Sequence, residues 1–145
     1  MKRQFCSFWM GKLLYGMPVE EVQEVIREQE ITRVPLAESR VRGLINLRGK
    51  IVTAIDLRAD LGVTEEKVDG QRMNVVVSNE DNTVSFLVDS IGDVLDVDEE
   101  MFEPVPDSIK SGSEGFVIGV YKLQDGLLHA LDAGRCVQVE DGSGK

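Results

Sequence analysis

The chain repeats part of its own sequence, and this duplication limits the possible folds more than any other feature. The segment 43–47 (GLINL) leads into 51–56 (IVTAID), and later 119–123 (GVYKL) leads into 127–132 (LLHALD). Both pairs of segments lie 76 positions apart. A repeat of this kind predicts two copies of one supersecondary unit that pack together to bury their apolar faces.

The first parts of the two copies match at a different spacing. Residues 19–26 and 88–95 agree in their apolar and acidic positions at an offset of 69, which Pro35 and Pro104 keep. The offset therefore grows by seven residues in the second copy, where 108–115 has the Gly/Ser composition of a loop.

Each copy contains five short runs that are rich in β-branched and aromatic residues and separated by turn residues. The predicted strands are Gln4–Met10, Leu13–Met17, Val22–Glu28, Gly43–Leu47 and Ile51–Ile55 in the first copy, and Met73–Ser78, Thr83–Val88, Val94–Asp98, Phe116–Tyr121 and Leu127–Leu131 in the second. Five strands without a cover for their edges are best satisfied by curling into a small barrel, so an all-β fold of two packed barrels is expected.

Two features of this prediction concern helices. Val19, Val22 and Ile26 also fit a helical stripe, so the third strand competes with a helix at that point. Asp56 and Asp132 each follow a strand and suit the N-cap of a short helix. Gly62 can end the first of these helices.

Composition excludes several classes of function. Sixteen basic against 26 acidic residues give a formal charge of −10, which repels a nucleic-acid backbone. Neither a signal peptide nor a membrane-spanning stretch is recognisable. Cys6 and Cys136 lie far apart without the spacing of a redox motif or zinc site, so free thiols in a cytoplasmic protein are expected.

The sequence offers little for catalysis. His129 is the only histidine and lies in a predicted strand without a nucleophile motif. The acidic run 93–103 lacks the glycine and ligand spacing of a calcium loop. We therefore expect no enzymatic activity, cofactor or metal. The alternative is an enzymatic or small-molecule-binding barrel, which needs a concave polar pocket that the sequence does not indicate.

The two copies differ at one tight turn. Asn46-Leu47-Arg48-Gly49 corresponds to 122–125 (KLQD), so only the first copy has an arginine there. A turn arginine is usually just solvated, but Arg48 with Arg42 and Lys50 makes a basic island on an acidic protein that could orient a partner.

The same turn belongs to a set of motifs spread over the chain. They are 15–19 (YGMPV), 22–25 (VQEV), Pro35, 43–49 (GLINLRG), 56–58 (DLR) and 88–94 (VDSIGDV). From about Gln4 to Val137 the chain thus resembles the CheW-like family of chemotaxis coupling proteins. The resemblance implies two five-stranded SH3-like barrels with short helices around a shared hydrophobic core. It also implies a non-enzymatic cytoplasmic adaptor, recruited to membrane-associated arrays, that couples the hairpin tip of a chemoreceptor to the regulatory domain of the histidine kinase CheA.

The resemblance also implies a set of partner-binding residues. They are Val22, Glu24, Val25, Gly43, Arg48, Met73 and Val94. Glu24, Gly43 and Arg48 match the family in identity, and Met73 only in apolar character. Thr53 and Ser85 depart from the family's usual proline and glycine, which suggests a divergent paralogue without loss of fold.

These observations predict a single domain over 4–140, built from subdomains of about 4–68 and 69–140 with a possible exchange of strands, and a polar tail over 141–145. The same fold occurs as the C-terminal domain of CheA and the front half of CheV, but the length of this chain favours a stand-alone coupler that is monomeric in isolation. Two sites are expected. Glu24, Gly43 and Arg48 should cluster on the first barrel, with Gly43 admitting a partner's backbone. Val22, Met73 and Val94 should line an exposed groove between non-equivalent positions of the two copies.

Overall fold

The structure is a computed structural model and describes residues 2–35, 41–57, 61, 72–78, 83–104 and 116–137. Eleven β-strands account for most of these residues. They are β1 (Lys2–Met10), β2 (Leu13–Pro18), β3 (Val22–Arg27), β4 (Val41–Leu47), β5 (Lys50–Asp56), β6 (Met73–Ser78), β7 (Thr83–Val88), β8 (Ser90–Asp98), β9 (Phe102–Pro104), β10 (Val117–Leu123) and β11 (Gly126–Leu131). Short 3-10 turns at Val19–Glu21 and Glu99–Met101 and a four-residue α-helix, Ala133–Cys136, complete the described elements. No helix among the described residues is long and apolar enough to cross a membrane.

The strands form two sheets. The sheet with the order β3-β6-β7-β5-β4 is called barrel 1, and the sheet with the order β8-β1-β2-β11-β10-β9 is called barrel 2. Within each sheet the strands pair antiparallel, except for β5 with β7 and β2 with β11, which run parallel.

Each barrel combines strands of both copies. The hairpin β1–β2 of the first copy lies in barrel 2, and the equivalent hairpin β6–β7 of the second copy lies in barrel 1. Each hairpin is joined to the other copy's strands by a parallel pair, β2 to β11 and β7 to β5. The two barrels therefore have the same strand order, apart from the additional strand β9, and the copies have exchanged their first hairpins.

Both barrels close by the same device. The segment that follows β3 returns to β4, where Thr32 and Leu44 exchange two backbone hydrogen bonds of 2.8 Å. In barrel 2 the segment that follows β8 forms β9, which pairs with β10. Since β3 with β4, and β8 with β10, would otherwise be free edges, these contacts satisfy the backbone groups that an open sheet exposes.

The buried side chains form three clusters. One lies within each barrel: Ile45, Leu47, Val52, Ala54 and Val76 in barrel 1, and Phe5, Val97, Tyr121, Leu128 and Ala130 in barrel 2. The third and largest lies between the barrels and draws on both copies, with Phe8, Met17, Ile55 and Phe86 fully buried. This shared cluster joins the barrels into one unit by burial of apolar surface.

The predicted all-β class with two barrels is confirmed, and each of the ten predicted strands is present. The third strand is a strand, preceded by a 3-10 turn. Strand β9 was not predicted. The cap at Asp132 is confirmed, because its Oδ1 accepts a hydrogen bond from the Arg135 amide at 3.2 Å. The predicted features at Gly62, 79–82, 108–115 and 141–145 lie outside the described residues.

Candidate functional site

The arginine turn between β4 and β5 has two residues in the left-handed conformation. Arg48 has φ of 54° and Gly49 has φ of 87°, as a two-residue hairpin turn of type I′ requires. The Asn46 side chain holds the turn, because its Oδ1 accepts a hydrogen bond of 2.7 Å from the Gly49 amide. This backbone fixes the direction in which the Arg48 side chain leaves the hairpin.

Arg48 reaches across the open end of barrel 1 and donates a hydrogen bond to Glu24 on β3. The hydrogen bond to Glu24 and its negative charge raise the pKa of Arg48 above its ordinary value. The Arg48 side chain remains 67 % exposed, so the pair contributes little to stability in water. Its geometric effect is to hold a guanidinium and a carboxylate side by side on the surface.

The wider basic island is partly neutralised within the chain. Arg42 forms an ion pair with Asp56, with Nη1 and Oδ2 at 3.1 Å, and Arg48 is paired with Glu24. The sequence predicted that Glu24 lies close to Arg48, but it predicted neither the ion pair between them nor the pairing of Arg42 with Asp56. Lys50 lies next to Arg48 and is exposed.

Gly43 has a structural role that differs from the expected one. It is buried, and a Cβ at this position would collide with the Thr32 carbonyl of the segment that closes barrel 1. The close approach that glycine permits here is therefore to the protein's own backbone, and the idea that a partner's backbone fills this space is wrong. Gly119, the equivalent residue in barrel 2, likewise faces the Glu103 carbonyl at 2.5 Å from an ideal Cβ.

A small apolar groove lies where the edge strands of the two barrels meet. Val25 on β3 and Val94 on β8 line it together with Phe8, Val75 and Ile91, around a volume of about 70 Å³. Val25 is 38 % exposed and Val94 is 56 % exposed. The groove thus presents apolar side chains of both copies to the solvent.

The groove differs from the expected strip in two respects. Val22 and Met73 are only partly exposed and pack against the shared core. Val25 and Val94, which do face the solvent, lie 69 positions apart and are equivalent residues of the two copies. The expectation of a groove built from non-equivalent positions is therefore wrong for its exposed part.

Two further polar side chains lie near these surfaces. Cys6 borders the groove, and burial raises the pKa of its thiol above the ordinary value, which disfavours the reactive thiolate. His129 is half-buried, with Nδ1 at 3.0 Å from the Leu14 carbonyl and its ring against Tyr15. A packed strand histidine is what its sequence context predicted. Among the described residues, no group of three or more His, Cys, Asp or Glu side chains could hold a metal ion.

Comparisons with known proteins agree on one family. The model of the CheW-like domain matches residues 4–141. The chain is 31 % identical to chemotaxis protein CheW of Thermotoga maritima, over 91 % of this chain and 85 % of the relative. It is 29 % identical to chemotaxis protein CheW of Bacillus subtilis, over 87 % of this chain and 81 % of that protein. The crystal structure of the scaffolding protein TtCheW from Thermoanaerobacter tengcongensis superimposes with a TM-score of 0.82 at 28 % identity, over 91 % of this chain and 90 % of the other.

Proposed function

Since the chain belongs to the CheW-like domain family, which matches residues 4–141, we propose that it is a non-enzymatic scaffold of chemotaxis signalling. In this proposal it couples the cytoplasmic hairpin tip of a chemoreceptor to the regulatory domain of the histidine kinase CheA. It acts in the cytoplasm as a monomer until receptor arrays recruit it. Relatives that carry the name chemotaxis protein CheW, and a structural neighbour described as a scaffolding protein, support this function.

The exposed groove at Val25 and Val94 is the observation that carries the receptor contact. Both valines lie on edge strands and expose more than a third of their surface, although alternating strands normally turn valine inward. A helix that lays an apolar stripe into such a groove buries both side chains. Because the two sides of the groove are equivalent, the groove alone does not determine the direction in which a helix lies.

The Glu24–Arg48 pair is the second proposed contact surface. A guanidinium held at the end of barrel 1 can donate further hydrogen bonds to a carboxylate of a partner, since it has five N–H groups and Glu24 uses only part of them. Only barrel 1 has this pair, so it can give the adaptor a direction that the groove lacks. Val22 and Met73, the other apolar residues of the expected partner-binding set, are partly exposed and pack against the shared core, and Gly43 lies against the Thr32 backbone.

The experiment is a calorimetric titration that measures binding of the Val94→Lys variant to a receptor hairpin fragment. A charge in the groove should abolish measurable receptor binding while far-UV circular dichroism stays unchanged, because Val94 is 56 % exposed. Ile118→Lys is the matched control, since Ile118 is 44 % exposed and its equivalent in barrel 1 is Arg42. Normal receptor binding by folded Val94→Lys protein would refute the groove as the receptor site.

A further inference from the structure

Barrel 2 has a cavity of about 610 Å³ at one end, which is called the mouth of barrel 2. It lies beside the β1–β2 turn and the β10–β11 turn, and three exposed side chains, Trp9, Leu13 and Leu127, form part of its wall. They are 40 %, 46 % and 46 % exposed. Cavities that bind small molecules commonly have volumes of 300 to 1,000 Å³ and mainly apolar walls.

The same place in barrel 1 is occupied by the Glu24–Arg48 pair. The residues equivalent to Glu24 and Arg48 are Asp93, at an offset of 69, and Gln124, at an offset of 76. Both line the mouth of barrel 2. The cavity therefore lies between the edge strand β8 and the β10–β11 turn. In barrel 1, the Arg48 guanidinium bridges the equivalent strand and turn.

Asp93 consequently has a carboxylate without a cation. Within the described residues no ion pair or hydrogen bond involves its side chain, and only its backbone carbonyl is engaged, by the Ser7 hydroxyl at 2.5 Å. Asp96 and Asp125 also line the mouth, against Lys12 as its one lining cation in the described part of the chain. This balance of charge attracts cations and repels anions.

On the side of the β1–β2 hairpin, the apolar wall is not a requirement of the fold. Trp9 pairs with Leu14 across the β1–β2 hairpin, and the equivalent pair in barrel 1 is Ser78 with Thr83. The same hairpin position is thus compatible with two hydroxyl side chains. Large apolar residues that the fold does not need, and that remain exposed, indicate a surface that is covered by something else.

We propose that the mouth of barrel 2 binds a small organic cation: a guanidinium or primary ammonium group on an aromatic or alkyl body. The cationic group takes the position that Arg48 takes in barrel 1 and pairs with Asp93. The apolar body lies against Leu13, Leu127 and the indole of Trp9, which also favours a nearby cation through its π-face. This site lies on a different barrel from the proposed Glu24–Arg48 contact, and its occupancy is independent of receptor or kinase binding.

Tryptophan fluorescence provides a direct test, because Trp9 is the only tryptophan of the chain. The protein is titrated with 2-phenylethylguanidine and, in parallel, with 3-phenylpropanoate and 3-phenylpropanamide, which present a carboxylate or a neutral amide on the same aromatic body. The guanidine should give a saturable change in fluorescence at millimolar concentration or below. The carboxylate should give none, and the amide should bind about tenfold more weakly than the guanidine.

Variants distinguish a specific site from general attraction to an acidic protein. Asp93→Asn should weaken guanidine binding about tenfold, and Leu13→Asn, which copies the residue at the equivalent position 82, should weaken it as well. Glu100→Gln is the matched control, because it removes the same charge from an exposed residue beyond the other end of β8. Circular dichroism checks that each variant is folded.

The proposal is overturned if the guanidine gives no saturable response, or if the carboxylate binds equally well. It is also overturned if Asp93→Asn and Glu100→Gln lower the affinity by the same factor, since the effect is then one of net charge. If Asp93→Asn perturbs folding, Leu13→Asn tests the proposal instead. An unchanged affinity for the guanidine in that variant contradicts the proposed position of the apolar body.

Discussion

The two barrels share their framework and differ at their ends. Both have the same strand order and the same parallel junction between copies. Their irregularities also coincide: the register shifts at Arg42 in barrel 1 and at Ile118 in barrel 2, which are equivalent positions. At the ends, however, Glu24 and Arg48 in barrel 1 correspond to Asp93 and Gln124 in barrel 2.

This difference separates the residues that fold the protein from those that distinguish its surfaces. Strand order and register depend on apolar side chains and glycines that face the interior, and these are similar in both copies. The ends of the barrels lie in solvent, where packing imposes no choice of side chain. One end has acquired an ion pair, and the other has an open cavity with an apolar wall.

The largest expected loss of stability comes from substitution of the glycines that lie against the segments closing the barrels. Gly43→Ala places a Cβ against the Thr32 carbonyl at φ of 147°, a conformation that alanine rarely adopts. Overpacking and backbone strain together should lower the free energy of unfolding by about 3 kcal/mol or more. Gly119→Ala should lower the free energy of unfolding by about 2 kcal/mol. The loss is smaller than at Gly43, because the new Cβ clashes with the closing strand β9 but the backbone does not have a left-handed φ.

Urea unfolding of Gly49→Ala serves as the control for this prediction. Gly49 is also left-handed, but no atom lies within 4 Å of its Cβ position, so this variant should lose only about 1 kcal/mol. An equal loss for Gly43→Ala and Gly49→Ala would mean that the closing segment can move aside, and that closure of barrel 1 does not depend on Gly43.

The strands were predictable from the sequence, whereas the exchange of partners between the copies was expected only as a possibility. Alternating apolar residues and tight turns are local signals, and they identified all ten main strands. The exchange of hairpins has no local signal, because β1–β2 and β6–β7 are equivalent and present similar edges to either set of partners. Strand β9 was missed because three residues ending in Pro104 carry too little pattern to recognise.

The candidate site was predictable in part, for a related reason. The exposed valine at position 94 and the arginine turn were found from the resemblance and from the asymmetry between copies. The proximity of Glu24 to Arg48 was predicted as well, but their hydrogen bond was not, since it joins residues 24 positions apart through the curvature of barrel 1. The mouth of barrel 2 was missed too, because Trp9 and Leu13 occur in strands where apolar residues normally face the core.

A smaller effect is expected when the ion pair that distinguishes barrel 1 is removed. Arg48→Ala should shift Tm by less than about 2 °C, because the pair is exposed. Binding of receptor or kinase should weaken about thirtyfold, the scale of an interface hot spot. Lys50→Ala removes a neighbouring exposed cation and should leave affinity nearly unchanged. A large loss of stability without a binding defect would instead make Arg48 a structural residue.

The smallest effect is expected when the barrel 1 arrangement is transferred to barrel 2. The two turns differ in backbone as well as in sequence. Arg48 and Gly49 both have positive φ. Gln124 and Asp125 have negative φ, because Arg48 is the only non-glycine residue with positive φ in the described part of the chain. Gln124→Arg alone should therefore point its guanidinium away from Asp93. The double change Gln124→Arg with Asp125→Gly copies the Arg-Gly pair of barrel 1 and puts glycine at the second central position, where a type I′ turn needs a positive φ.

The double variant should form the ion pair with Asp93 and close the mouth of barrel 2. Its free energy of unfolding should change by less than about 1 kcal/mol, because an exposed pair gains little in water, and the change should diminish at about 1 M salt. Trp9 fluorescence gives the sharper measurement: 2-phenylethylguanidine should lose more than tenfold in affinity in the double variant and much less in Gln124→Arg. If Gln124→Arg alone weakens ligand binding as much as the double change, the backbone of the turn does not matter. The side chain at position 124 then determines whether this end of barrel 2 is open.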